Sequence, residues 1–348
     1  SMLRLARQQK ARELIASGNL DDKEAIALLY DWTLWARDSQ LAPKGVDWTT
    51  WLILAGRGFG KALALDTPLP TPTGWTTMGD VRTGDLLIDE AGKPTRVVKA
   101  HGVLHNRECY RLTFKGGDSI VADSEHLWLC ADRGGRARKI RQTNELKVGY
   151  VIDATESLVG EDRELPIDPY ILGVWLGDGS KAESRVCTAD EEIVVALHEA
   201  ERVTRSVAAG GRSRSYSFGK ADPVRDPVTG HMMPNGSFHS RLKALGVFKN
   251  KHIPVEYLRA SRSQRLALFQ GLMDTDGSVQ RRNGQIRFTS CDHPLYLGVL
   301  ELARSLGLRV SQYSRIAKLN GRECRRAYSF QASCPFPAFR LPRKLKAQ

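Results

Sequence analysis

Hydrophobic residues in the first 61 positions follow a helical spacing that gives way to one apolar run. Residues 23–37, KEAIALLYDWTLWAR, carry apolar side chains three and four positions apart. Asp21 and Asp22 precede this stretch and can cap the start of a helix. The later run WTTWLILAG, residues 48–56, has the composition of a buried strand. We therefore predict helices followed by a single strand in residues 1–61.

The pattern changes in residues 62–160, where short β-type runs alternate with Gly, Pro and Asp. Two of these runs are interrupted by DEAG at 89–92 and two others by KGGD at 115–118. Such Gly- and Asp-containing tetrapeptides between apolar runs are typical of hairpin turns. This segment is therefore predicted to be an all-β domain with little helix.

Residues 161–348 contain an internal repeat. LGVWLGDGS at 172–180 corresponds to QGLMDTDGS at 270–278, and RSYSF at 214–218 corresponds to RAYSF at 326–330. Each copy is predicted to run helix, strand, helix and strand pair, with the first helix ending at Asp-Gly-Ser. The chain is thus expected to be a multidomain α+β protein, with two pseudo-symmetric repeats at about 167–262 and 263–348.

The distribution of charge along the chain indicates what kind of molecule the repeats bind. The chain carries a net charge of +13, and residues 161–348 hold 30 Lys and Arg against 19 Asp and Glu, which leaves +11 of that total in the repeats. A basic half of this kind favours a polyanion such as nucleic acid as the partner, although a solvated basic surface is the simpler alternative.

The six cysteines form no Cys-x-x-Cys pair, which favours a reducing compartment. Apolar runs stay far below the ~20 residues that span a bilayer, so no membrane association is expected.

The repeated Asp-Gly-Ser sequences are the strongest candidates for chemistry. Gly173 and Gly271 precede Asp178 and Asp276 by five residues, so two helices could pack backbone to backbone and bring both carboxylates to a shared axis. Paired carboxylates at a basic surface suit Mg²⁺, two or more ions of which could promote phosphodiester hydrolysis. A single Asp-Gly is more often a helix-end turn, but two in matching contexts favour the catalytic interpretation.

The two motifs resemble those of the LAGLIDADG homing endonucleases over roughly residues 167–348. This resemblance implies αββαββ-type repeats and makes Asp178 and Asp276 the metal-binding catalytic residues. It also implies a catalytic lysine in the segment KHIP, which is Lys251. A second lysine is expected late in the second repeat, where Lys344 and Lys346 are candidates.

The same resemblance implies DNA recognition by curved sheets that lie in the major groove of a long, asymmetric duplex site. The Arg-rich segments 204–219 and 281–289 fit that role, and the residues expected to contact bases or phosphates are Arg212, Arg214, Arg282 and Arg287. A monomer with internal pseudo-two-fold symmetry is expected.

Residues 52–68, LILAGRGFGKALALDTP, begin as a phosphate-binding loop and do not finish as one. Ala55, Gly60 and Lys61 fit the small-x-x-x-x-Gly-Lys spacing of a P-loop, in which Gly58, Gly60 and Lys61 would bind nucleotide. The next residue should be Ser or Thr to hold Mg²⁺, but it is Ala62. A resemblance explains the interruption: ALALDTPLPTPTGWTTMGDVRTGD is similar to the start of inteins, the Hint fold.

The chain is therefore divided into a host segment, 1–61, the first part of a Hint splicing domain, 62–160, and an endonuclease, 161–348. The host sequence resembles the start of the large terminase subunit of tailed phages, in which Gln40 matches an adenine-contacting glutamine. Splicing would complete the P-loop, so ATP binding is expected only afterwards. This host implies the cytoplasm of a phage-infected bacterial cell.

Ala62 cannot act as the nucleophile that begins most inteins. Either a Cys-to-Ala change has frozen the precursor, or the intein is of class 3, which lacks this nucleophile. DSEHLWLC supports the second, because His126 and Trp128 resemble the class 3 His-x-Trp arrangement. Asp123 replaces the usual Thr and could orient the imidazole. Without the surrounding resemblance to inteins, a partly buried pair of core side chains on a β-strand would be the preferred interpretation of His126 and Trp128.

The C-terminal intein segment, with its nucleophilic Cys, penultimate His and terminal Asn, is missing from this sequence. This chain is therefore not expected to splice. Two alternatives to a DNA-cutting intein remain open: a self-processing element with an inactive DNA-binding insert, and a fragment of a packaging ATPase.

Overall fold

The computed structural model describes residues 63–132, 137–219, 236–319 and 322–348. The predicted host segment 1–61 lies outside these ranges. So do the residues assigned to the P-loop and the splice junction, which are Gln40, Gly58, Gly60, Lys61 and Ala62. These predictions are not tested by the fold.

The segment after residue 62 is built from antiparallel strand pairs, which confirms the β-rich prediction for its described part. The sheets are β1–β2, β3–β4, β5–β6 and the three-stranded β8–β7–β9. One turn of 3-10 helix, Thr143–Glu145, accompanies them. The strands are β1 Pro68–Thr71, β2 Gly74–Thr77, β3 Leu86–Ile88, β4 Pro94–Arg96, β5 Cys109–Thr113, β6 Ser119–Asp123, β7 Leu127–Ala131, β8 Arg138–Gln142 and β9 Val151–Ile152.

Both predicted hairpin turns are present. The DEAG turn joins β3 to β4, and the KGGD turn joins β5 to β6. In the first turn the carboxylate of Asp89 accepts hydrogen bonds from the backbone N–H groups of Ala91 and Lys93, at 3.0 and 2.8 Å. Gly92 has a φ of +76°, a left-handed conformation that glycine adopts without steric cost. Local turn chemistry therefore fixes these hairpins.

The second half contains two units with a related order of elements. The first unit runs helix, strand, helix and two strands, and the second runs helix, two strands, helix and two strands. In the first unit the extra strand is reduced to one bridge between Gly179 and Val186. The elements of the first unit are α1 Pro169–Asp178, β10 Arg185–Thr188, α2 Glu191–Ala200, β11 Val203–Gly210 and β12 Ser213–Phe218. Those of the second are α5 Arg262–Asp276, β13 Gly277–Gln280, β14 Gln285–Ser290, α6 His293–Ser305, β15 Ser311–Leu319 and β16 Arg322–Ala332.

Three short helices complete the described part of this half: α3 Phe238–Ala244 and α4 Val255–Leu258 between the units, and α7 Pro342–Leu345 after them. The first unit has a three-stranded sheet of order β10–β12–β11, and the second has a four-stranded sheet of order β13–β14–β16–β15. One continuous hydrophobic core runs through both units. No helix among the described residues is long and apolar enough to cross a lipid bilayer.

The centre of this core is the contact between α1 and α5. A Cβ atom added at Gly173 would lie 2.4 Å from the carbonyl oxygen of Leu268. A Cβ atom added at Gly271 would lie 2.2 Å from the carbonyl oxygen of Tyr170. Both distances are too short for any side chain, so the backbones meet as the spacing of the two glycines predicts.

The β-rich segment is attached to this half by two arginines. Arg259 donates from Nε to the carbonyl oxygen of Thr71 and from Nη2 to that of Gly74, at 2.9 and 2.7 Å. The fully buried Arg265 donates to the carbonyl oxygens of Leu158 and Ser305. These bonds satisfy backbone groups that the junction removes from water.

Candidate active site at the ends of two central helices

The two repeated aspartates occupy equivalent places in the fold. Asp178 is the last residue of α1, and Asp276 is the last residue of α5. The two helices meet at Gly173 and Gly271, and each helix ends five residues later at its aspartate. The two carboxylates are therefore close enough for the charge of Asp276 to affect Asp178. Both keep solvent access. The predicted pairing of the two motifs is therefore present.

Lys251 contacts the end of the first helix. Its Nζ donates to the carbonyl oxygens of Gly177 and Gly179, at 3.1 and 2.7 Å, and these residues flank Asp178. The ammonium group also lies 5.2 Å from the ring centroid of Trp175. The side chain is 5% exposed. A cation at a helix C-terminus interacts favourably with the carbonyls left unpaired there.

Lys344 makes the corresponding contact in the second unit. Its Nζ donates to the carbonyl oxygens of Thr275 and Gly277, which flank Asp276, at 3.3 and 2.7 Å. It also donates to the carbonyl oxygen of Asp274 at 2.7 Å. The first of the two candidate lysines near the end of the chain is therefore the one placed at the site.

The four charged groups alter one another's protonation. Loss of solvation, and next the charge of Asp276, raise the pKa of Asp178 to about 6. Loss of solvation likewise raises the pKa of Asp276, against the opposing effect of Lys251 and Lys344. Burial lowers the pKa of Lys251 to about 8 and also lowers that of Lys344. Because the raised pKa values show that ionising both carboxyl groups is unfavourable, a cation bound between them would stabilise their ionised forms.

The oxygen donors present fit a hard divalent cation. Within the described ranges no group of three or more His, Cys, Asp and Glu side chains could form a closed metal cage. The site instead offers the carboxylates of Asp178 and Asp276, both exposed to solvent. Mg²⁺ is commonly held by one or two carboxylates together with water and substrate phosphate. The donor set therefore suits an ion shared with a phosphate-bearing substrate.

Each sheet has one face covered by helices and one polar face. In the first sheet, Tyr216 and Phe218 are buried against the helices, whereas Cys187 and Ser215 pair on the opposite face. That face borders Asp178 in a shallow pocket. The polar face of this sheet therefore continues from the candidate site.

The predicted DNA-contacting arginines do not all lie on the polar faces. Arg214 alternates with Tyr216 on the helix-covered face, where its Nε donates to Ser206 Oγ at 2.7 Å. Arg287 does lie on the polar face of the second sheet, and its guanidinium is 5.8 Å from the ring centroid of Tyr313. Its buried Nε has no hydrogen-bond partner among the described residues.

Five other arginines lie on or beside the polar faces. Two of them were predicted from the sequence and three were not. Arg212 and Arg282 are exposed in the turns after β11 and β13. Arg185, Arg205 and Arg315 are exposed on the polar faces, as their strand registers require. Side chains alternate between the two faces of a strand, so these three arginines could have been identified from the sequence if the pairing of the strands had been known.

Asp123, His126 and Trp128, which the sequence analysis assigned to splicing, lie in the β-rich segment. The rings of His126 and Trp128 are 4.7 Å apart between centroids, and Trp128 Nε1 donates to Thr143 Oγ1 at 2.9 Å. The buried Asp123 accepts hydrogen bonds from Arg107 Nε at 2.6 Å and Nη2 at 3.0 Å. Thr143 and Arg107 were not singled out from the sequence, because both are distant from His126 along the chain.

Comparison with known proteins adds to this geometry. Residues 252–335 match the family model described as homing endonuclease. A replicative DNA helicase DnaB of Mycobacterium intracellulare is 36% identical over 326 residues, which cover 85% of this chain and 51% of the helicase. The chain thus spans about half the length of that relative.

Solved structures match separate parts of the chain. The MchDnaB-1 intein is 53% identical over 26% of this chain and 66% of its own, with a TM-score of 0.24. I-DmoI in complex with DNA and Mn is 14% identical over 48% of this chain and 89% of its own, with a TM-score of 0.31.

The family match supports a homing endonuclease, which is a site-specific DNA endonuclease, in the second half of this chain. The host protein among these relatives is a DnaB helicase, so the terminase predicted from residues 1–61 is not confirmed.

Proposed function

We propose that residues 161–348 are an intein-borne endonuclease that makes a Mg²⁺-dependent double-strand break in the host gene that lacks the intein. One observation carries this proposal. Asp178 and Asp276 end two helices that meet at glycines, and each has a lysine bonded to the carbonyls on either side of it. Such a duplicated acidic site suits the two strands of one duplex.

The chain's own groups have distinct tasks in this reaction. Asp178 and Asp276 would hold the divalent ions, which when bound supply Lewis-acid activation of water and of the leaving oxygen. Lys251 and Lys344 fix the helix ends and place positive charge where negative charge develops on the phosphate. Burial lowers the pKa of Lys251 to about 8, so this lysine can change protonation close to neutral pH, and burial also lowers the pKa of Lys344.

Two ion pairs between the units support a monomer with internal pseudo-two-fold symmetry. Asp190 directly precedes α2 and pairs with Arg343 at 2.8 Å, and Asp292 directly precedes α6 and pairs with Lys181. Each pair joins one unit to the other. The polar faces of the two sheets would then lie along one long duplex site, whose asymmetry follows from the different side chains on the two faces.

For residues 62–160 we propose the first part of a class 3 splicing domain. Support comes from the contact between His126 and Trp128 and from the buried Asp123 that precedes them. Splicing would restore the host P-loop and allow ATP to bind. A clone that keeps Ala62 and is extended by an intein C-terminal segment should then splice, and this result would exclude a Cys-to-Ala change as the origin of Ala62.

The identity of the host protein, into whose gene the intein is inserted, was inferred from residues 1–61 alone. Their resemblance to a phage terminase favours that host and the cytoplasm of an infected bacterium, whereas the relatives are DnaB helicases. Two intein-free junctions, one from each kind of gene, therefore serve as separate substrates.

The deciding experiment incubates the protein with supercoiled plasmids that carry either junction. Linear product with Mg²⁺, lost on Asp178→Ala or Asp276→Ala, is expected for one of the two junctions. The junction that is cut identifies the host. Intact plasmid together with a retained gel shift would instead indicate an inactive DNA-binding insert.

A further inference from the structure

A third aspartate near the site has no part in the mechanism above. Asp274 lies inside α5, two residues before Asp276, and is 1% exposed. Its carboxylate accepts hydrogen bonds from Tyr170 Oη at 2.9 Å and from the backbone N–H groups of Arg340 and Leu341, at 3.1 and 3.2 Å. Burial of this carboxylate is thus offset by donors from two other parts of the chain.

These bonds hold the segment that delivers Lys344. α7 begins at Pro342, directly after Leu341, and Lys344 follows within its single turn. The guanidinium of Arg340 also lies 4.1 Å from the ring centroid of Tyr170, which reinforces the same attachment. A four-residue helix cannot fix its own position, so the contact between Lys344 and the end of α5 depends on this anchor.

The first unit has no corresponding carboxylate. The position two residues before Asp178 is Leu176, which is fully buried in the hydrophobic core. Lys251 is supplied by the loop between α3 and α4, where the neighbouring Ile253 packs against Gly298 of α6. The two lysines therefore occupy equivalent places but are held differently. Hydrogen bonds to the Asp274 carboxylate hold the segment of Lys344, whereas apolar packing of Ile253 holds the segment of Lys251.

We propose that Asp274 is a positioning residue for Lys344, and that losing it uncouples the cleavage of one DNA strand from cleavage of the other. This inference rests on the proposed endonuclease function. Asp274→Asn keeps the shape of the side chain but removes its charge and places an N–H₂ group among N–H donors. Lys344 should then leave the end of α5, while Lys251 and the first unit stay in place.

The test uses a supercoiled plasmid and a duplex labelled on each strand in turn. Asp274→Asn should accumulate nicked circles, with one strand cut roughly 10²-fold more slowly, as expected for the loss of one charged stabilising group. Lys344→Met should slow the same strand. In Asp274→Asn, trypsin should cleave more readily after Arg343 and Lys344. The matched control is Asp118→Asn, an exposed carboxylate paired with Arg304, which should leave both strands unaffected.

The outcomes separate the two proposals. Failure of the wild-type protein to cut either strand overturns the endonuclease function itself. Normal linear product from a folded Asp274→Asn variant, or equal slowing of both strands, overturns only the positioning role. If Asp274→Asn does not fold, Tyr170→Phe removes one donor and keeps the backbone bonds, and it should show the same strand bias to a smaller extent.

Discussion

Gly173 and Gly271 face each other across the two central helices, so that a Cβ atom on either would lie 3.1 Å from the Cα atom of the other. Both additions would also meet backbone carbonyls at 2.4 Å or less. Backbone atoms cannot move aside as the end of a flexible side chain can. The separation of α1 and α5, and with it the separation of the two carboxylates at their ends, is therefore set by these two glycines.

Gly173→Ala should destabilise the protein by about 1–3 kcal/mol, the usual cost of overpacking a tightly packed core. Thermal unfolding measures this effect, and DNA cleavage should fall further because the helix ends move apart. Gly102→Ala is the matched control, since an added Cβ there would have no atom within 4 Å. Equal melting temperatures for the two variants would contradict the proposed role of the helix contact.

Asp178→Asn should raise the stability of the metal-free protein at pH 7 and leave it unchanged near pH 4. The folded-state pKa of Asp178 is raised to about 6, above its ordinary value of 3.8, so its contribution to stability is present at low pH and is lost as the pH rises through 6. Asparagine has no charge to lose. Urea unfolding of both proteins across this range measures the difference, and a stability gap that widens toward low pH would show the opposite sign.

The Mg²⁺ concentration needed for half-maximal cleavage should increase as the pH falls below about 6. Protons and the cation compete for the Asp178 carboxylate, whose pKa is raised to about 6. Single-turnover cleavage at several pH values, each titrated with Mg²⁺, measures this competition. Saturating Mg²⁺ should restore most of the lost rate, whereas a pH-independent Mg²⁺ requirement would place the ion elsewhere.

Arg205→Ala should weaken DNA binding more than Arg214→Ala, although both residues belong to the same sheet. Arg205 pairs with Ser217 on the polar face, and Arg214 lies on the helix-covered face. Loss of one phosphate contact should reduce the slope of log affinity against log salt concentration by about 1. Fluorescence anisotropy at several salt concentrations provides both quantities, and equal losses for the two variants would refute the assignment of faces.

The sequence was sufficient for the parts of the site that are repeated or local. Asp178 and Asp276 could be paired because the same motif occurs twice, and the glycines before them predicted how the helices meet. The hairpin turns at 89–92 and 115–118 followed from their Gly and Asp residues alone. Lys251 was found from its short motif, and Lys344 only as one of two candidates.

What could not be predicted depends on contacts between distant residues. The face on which an arginine lies is determined by strand register, so Arg214 was chosen where Arg205 was the better candidate. Asp274 lies within a recognisable motif, but its partners at positions 340 and 341 are more than sixty residues away. Thr143 is similarly remote from Trp128, to which it is hydrogen bonded.

The attachment of the β-rich segment has a consequence for any shortened form of this chain that lacks residues 161–348. Trp75 Nε1 donates to Glu301 at 2.9 Å, and Arg259 covers the carbonyls of Thr71 and Gly74. Deleting residues 161–348 would strip these groups of their partners at once. Water would have to replace these partners around the β1–β2 hairpin, so the surface of the first half is partly defined by the second.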